Sequence, residues 1–231
     1  MNHRERVKAI FHYQPYDRMP VVHFGYWNET LEKWYQEGHI TKEEYLGWGD
    51  GNEYDDSIAR KLGFDFNWLT CFSPNTGLNP GFESKDMGAY PSGGRMIRNC
   101  DGVIVLQKED AGSIPAEIEH TLKDRESWEK EYKWRLQFQP ERISAQAYEQ
   151  IKTAHPDTPV GLHCGSLFGR IRDIIGVEGI SYLFADDEDL YDEIIDTVGT
   201  LCFQTVEYVL NQGWTFDFAH FWEDICFKNG P

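Results

Sequence analysis

The chain is predicted to be an α/β protein in which strands of a parallel sheet alternate with crossover helices. Three features point there. Compact β-branched or aromatic runs recur at wide intervals, amphipathic segments bounded by helix start and stop residues separate them, and no repeat, low-complexity tract or Pro/Ser-rich linker divides the chain.

Residues 3–12, HRERVKAIFH, set Val7, Ile10 and Phe11 at the i, i+3, i+4 spacing of one helix face. QPYDR breaks that helix. MPVVHF, 19–24, enters through a proline and reads as a buried strand with His23 at its carboxyl end. NETLEKWYQEG has Asn28 at the cap position, a first-turn Glu29 and a closing Gly38, which are matched helix signals. TKEEYLGWG and YDDSIARKLG are expected to be further helices. FDFNWLTCF, 64–72, alternates and is aromatic, so it is expected to be the second strand.

From Ser73 to about Pro91 the chain is rich in Gly, Pro and Asn and reads as a long loop. MIRNCDGVIVLQKED, 96–110, is expected to form a hairpin turning on Asp101-Gly102. SWEKEYKWRL and ERISAQAYEQIKTAH are helical by charge spacing and composition. TPVGLHCG reads as a strand that ends in His163, Cys164 and glycine. SLFGRIRDIIG and VEGISYLFADD follow as short helices, then DEDLYDEIIDTVGTLCFQTVEYVLNQG as a long one whose acids crowd the N-terminus, as the helix dipole favours. WTFDFAHFWEDI is expected to be a last strand carrying His220, Glu223 and Asp224. After it KNGP is only a turn, so the fold is expected to be cut there.

A net charge of −17 sets a field that repels nucleic-acid phosphates and anionic lipid, which removes both as partners. The longest apolar runs fall far short of the roughly 20 residues a membrane helix needs. The N-terminal MNHRERVKAIFHY is too charged for a signal peptide, so a cytoplasmic location is expected. Cys71, Cys100, Cys164, Cys202 and Cys226 are scattered without a CxxC, which points to reduced thiols.

RERVKAIFHYQPYDRMPVV, SIPAEIEHTLKDRESWEKEYKWRL, LFGRIRDIIGVEGISYLFADDEDLYDEIIDTVG and FWEDICFKNGP lie in order along nearly the whole chain. Together they resemble the uroporphyrinogen decarboxylase (URO-D) superfamily. The resemblance implies a (β/α)8 barrel of the TIM type, with active-site residues at the carboxyl ends of strands. Residues 1–231 would then form one C-terminally incomplete barrel domain, the first five or so strands with N-terminal helical and hairpin additions.

Two chemistries follow from the resemblance. The decarboxylases bind a polycarboxylate porphyrinogen through arginines just after the first strand, where this chain has HFGYWNETLEKW and no arginine. Arginine is the side chain suited to bidentate carboxylate recognition. The resemblance is therefore closer to the corrinoid-linked methyltransferases, which move a methyl group between a small donor or thiol and a cobamide on a partner protein. Their zinc is held by a His-x-Cys and a later Cys, expected outside this chain. The alternatives are uroporphyrinogen-type decarboxylation, or a non-catalytic, assembly-dependent protein that associates through the open edges of an unfinished sheet.

His163 and Cys164 alternate in direction at a strand end, so one shared metal is disfavoured and a packing role competes with catalysis. His163 and His220 are the candidate acid–base groups, with Glu223 and Asp224 at the mouth as partners that orient a histidine or bind substrate, against capping as the plain reading. His23, Tyr26 and Trp27 are candidate substrate contacts, the rings offering a cation-attracting wall. Asp65 is placed with them as the counterpart of the buried decarboxylase aspartate. Gly161, Gly165 and Gly169 make no dinucleotide-binding turn.

Overall fold

The computed structural model of the protein describes residues 1–68, 71–108, 115–154 and 156–223. Several of the expected helices open on a side-chain cap. Helix α1 (His3–Phe11) opens with a reciprocal pair of bonds: the Asn2 side chain accepts from the Glu5 N–H at 2.8 Å, and Glu5 accepts from the Asn2 N–H at 3.0 Å. Strand β1 (Val22–His23) follows, then α2 (Asn28–Gln36). Asn28 is not its cap; Trp27 holds that position and offers no side-chain acceptor. Thr41 and Glu44 cap α3 (Lys42–Gly47) in the same reciprocal way, and Asn52 caps α4 (Glu53–Leu62), which Gly63 closes at φ 81°.

The predicted strand 64–72 becomes two short pieces, β2 (Phe66–Asn67) and β3 (Cys71–Phe72). Next come β4 (Lys85–Ala89), β5 (Arg95–Arg98), β6 (Val103–Gln107) and β7 (Ala116–His120). A short turn of helix, α5 (Arg125–Ser127), runs into a π-turn at Trp128–Tyr132 and a 3₁₀ turn at Lys133–Leu136, where a single α-helix is expected. Then follow α6 (Ala145–Ala154), β8 (Gly161–His163), α7 (Phe168–Asp186), α8 (Glu188–Asn211) and β9 (Phe218–His220). The two short helices expected over 166–187 form as the two segments of α7, which part at Gly176, where a φ of 73° interrupts the helix. No helix among the described residues is long and apolar enough to cross a membrane.

The (β/α)8 barrel is not what forms. The described strands make a two-stranded parallel sheet, β1–β2, a three-stranded sheet in the order β3–β8–β9, and a four-stranded antiparallel sheet in the order β4–β5–β6–β7. A barrel needs one continuous parallel ladder. Here the parallel strands are two or three residues long, and the longest strands pair antiparallel. The antiparallel sheet grows from the Asn99–Gly102 turn, where the Asn99 side chain accepts from the N–H groups of Asp101 and Val103 at 3.0 and 2.9 Å. Hairpin β5–β6 matches expectation; β4 lies inside the predicted loop, and β7 offers only Ile118 as an apolar signal.

The chain divides into two compact units. The first comprises residues 1–72, 145–162 and 215–220; it carries both parallel pairings, β1–β2 and β3–β8, and a small core of Leu31, Ile40 and Ile58 wrapped by Tyr26, Trp34, Tyr45 and Trp48. The second comprises residues 73–144, 163–214 and 221–231 and packs the antiparallel sheet, α7 and α8 around residues such as Trp128, Ile174, Ile194 and Leu201. Burial of each such side chain contributes about 1.5–3 kcal/mol.

Candidate functional site

In the parallel pair β1–β2, His23 stands opposite Asn67, so both side chains sit at the carboxyl ends of their strands. Gly25 turns the chain away with φ 106°, and a Cβ there would come within 2.9 Å of Asp50 Oδ1. The cap at Asn52, which accepts from the N–H groups of Tyr54 and Asp55 at 3.0 Å each, fixes Asp55 in the first turn of α4. Asp55 is 1% exposed, a cost that a buried carboxylate offsets only with donors. It has three: Trp48 Nε1–H at 2.9 Å, the Gly51 N–H at 3.1 Å and Asn67 Nδ2–H at 2.9 Å. Asn67 Nδ2–H also donates to Asp50 Oδ1 at 3.1 Å.

His23 leans on this network without joining it. Its Nε2 is 4.0 Å from Asp55 Oδ1, beyond hydrogen-bond range, and is buried with no partner among the described residues. Its Nδ1 accepts from the Gly25 N–H at 3.3 Å, which places the proton of the neutral ring on Nε2. The imidazole lies flat on Tyr26, centroids 4.7 Å apart and planes 11° off parallel, with Phe64 at 5.0 Å. The Tyr26 hydroxyl is likewise buried without a partner among the described residues, its ring edged by Trp34 and Trp48. Burial lowers the His23 pKa below the ordinary histidine value and raises that of Tyr26 above the ordinary phenol value, so both are neutral near pH 7. Each of the two stacked rings thus has a buried polar atom without a partner among the described residues, and His23, with Val22, Phe24 and Trp68 but not Tyr26, lines an apolar recess of about 320 Å³.

The other candidates fare differently. Trp27 is 58% exposed and stays outside the recess. Asp65 receives both terminal N–H groups of Arg18 at 2.6 Å and the Val21 N–H at 2.9 Å; the Arg18 hydrogen bonds lead in holding its carboxyl down to about 2. It clamps the entry to β1. His220 ends β9 in the first unit, its pKa lowered by burial, while His163, half-buried at the end of β8, and Glu223 belong to the second. Glu223 accepts from the N–H groups of Leu167 and, at 3.1 Å, of Gly169, supplying the acceptor that the N-terminus of α7 lacks in Leu167. Capping, the plain reading of Glu223, is therefore its observed contact. Asp224 lies outside the described residues. Cys164 is buried, and the nearby Cys202 thiol is pushed up to about 11 by burial, which makes it inert rather than nucleophilic.

Asp55, Asn67, Asp50 and Trp48 carry the network and are not among the sequence candidates. The only local signal is the Asn52 cap, which predicts an acid in the first turn but not its burial.

Among the described residues, no three His, Cys, Asp or Glu side chains converge to hold a metal ion. Asp55, the carboxylate nearest His23, already accepts three N–H bonds. The zinc implied by the resemblance thus has no fitting donor set in the described part of the chain.

Comparison with protein-family models, with curated proteins and with solved structures gives no match for the chain.

Proposed function

We propose that the protein is a methyl-transferring enzyme of URO-D superfamily type, acting with a corrinoid partner, and that it holds its small-molecule substrate at the recess lined by His23, against which Tyr26 stacks. The observation that carries the reading is the pair of buried, unsatisfied polar atoms, His23 Nε2 and the Tyr26 hydroxyl, at the carboxyl end of a parallel strand pair. Ligands of open α/β sheets bind at that end. The ordered sequence motifs support the family, and the surroundings support the branch. The groups gathered at the recess are neutral or anionic, and Arg18, which precedes β1, is committed to Asp65. A polycarboxylate porphyrinogen meets no fixed cation there among the described residues.

In this reading the neutral His23 donates its Nε2–H to a polar atom of the substrate. The rings exclude water from the contact, which strengthens the bond. No step through zinc is assigned to the described residues.

The test uses the complete polypeptide with zinc, free methylcobalamin and a small thiol, following loss of the cobalt–carbon absorbance as cob(I)alamin and the methyl thioether form. Methyl transfer is expected, with kcat/KM reduced about 10–100-fold in His23→Phe, which keeps the stacked ring and removes the donor. Porphyrinogen decarboxylation with no cobamide reaction would sink the proposal.

A further inference from the structure

The second unit contains a cavity of about 840 Å³, separate in sequence and chemistry from the His23 recess. It lies between the end of β7 and the half of α7 that follows the break at Gly176. The break needs glycine twice over: φ is 73°, and a Cβ would come 2.9 Å from His120 Nε2. His120 can therefore lie against the opened helix. Its Nδ1 is buried with no hydrogen-bond partner among the described residues, and its Nε2 is 3.5 Å from a Glu117 carboxylate oxygen.

The inner surface is apolar, with Leu122, Ile175, Leu183 and Leu190 all buried, and the volume falls in the range of roughly 300–1,000 Å³ that holds small molecules. The mouth is different. Glu178, Tyr182 and Asp186 line it at successive i, i+4 positions, so a carboxylate, a 60%-exposed phenol ring and a second carboxylate form one stripe of the helix. The cations that line the cavity are already used: Arg125 pairs with Glu193 at 2.8 Å and Asp187 at 3.6 Å, and Lys123 pairs with Glu119. Glu178 and Asp186 make no ion pair among the described residues.

We propose that this cavity is a binding site for a small organic cation with an apolar body. The ammonium group sits over the Tyr182 ring between Glu178 and Asp186, where the ring face and both carboxylates attract it. The body fills the space against Leu122 and Leu183, and His120 Nδ1 is available to a polar substituent.

Isothermal titration at low ionic strength with 4-phenylbutylamine, 4-phenylbutanol and 4-phenylbutyrate separates charge from shape. The amine is expected to bind at least about tenfold more tightly than the alcohol, and the acid not to saturate the protein. Glu178→Gln with Asp186→Asn, both exposed positions that leave the core intact, should abolish the preference for the amine and keep the binding of the alcohol. Ile118→Trp, which narrows the cavity from β7, should weaken amine and alcohol together. Equal affinity for the three probes, absence of amine binding below about 1 mM, or amine binding unaffected by these variants would each overturn the proposal.

Discussion

The pair at His23 and Tyr26 sits beside a satisfied neighbour: Trp48, which packs on the Tyr26 ring, donates to Asp55. Asp55 consumes three donors, and removing it takes the acceptor from the buried Asn67 amide and from the part-buried Trp48 indole and Gly51 N–H contacts. Asp55→Ala is therefore expected to destabilise the protein by about 3–5 kcal/mol, since each buried orphan costs about 1–3; urea unfolding followed by tryptophan fluorescence measures it. Asp65 sets a pH signature. Its folded pKa of about 2 lies below the ordinary value of about 3.9, so its contribution is present above about 3.9 and is lost as pH falls through about 2. Unfolding midpoints of Asp65→Asn should fall less steeply across that window than those of the parent protein. His23 acts from the neutral side: its lowered pKa means that the unfolded chain takes up the proton first, so stability declines as pH drops below about 6.5. His23→Phe should reduce that decline.

At the scale of elements, the starts of α1, α3 and α4 rest on local caps, although Asn28, the one cap read from the sequence, does not cap α2. Asn2 with Glu5, Thr41 with Glu44 and Asn52 all sit within one turn of the donors they satisfy. Helix α7 differs, because its N-terminus is capped by Glu223, more than 50 positions away at separations of 56 and 54. Glu223→Ala is expected to cost about 1 kcal/mol, the usual worth of a cap, and Glu223→Gln less; thermal melts of the two variants check the order. Strands were less legible than helices. β2 and β3 divide one alternating run, and β7 hides in AEIEH, because strand pairing is decided by a partner that a local pattern does not contain.

For the whole molecule, each unit carries its own core. Ile58→Ala in the first and Leu201→Ala in the second, 0% and 1% exposed in the parent protein, should each cost about 2–5 kcal/mol. Hydrogen exchange resolved by segment checks the prediction: protection should fall first in the unit that holds the substitution. The predicted alternation of strands and helices survives in part, in the parallel pairings β1–β2 and β3–β8, yet the barrel does not. Alternation specifies the order of elements, whereas closure depends on ladder length and shear, which are properties of many strands at once.

Local chemistry in the chain was enough to determine the principal helices, the β5–β6 hairpin, an acidic surface and the placement of His23 at a strand end beside Tyr26. Each depends on residues a few positions apart. Tertiary structure alone decided that Asp65 is clamped by Arg18, that Glu223 caps a distant helix, and that Asp55 and Asn67 buttress the recess. Those outcomes turn on which polar groups meet after burial. A buried donor or acceptor takes whatever partner the packed chain brings within about 3 Å, and sequence separation does not constrain that choice.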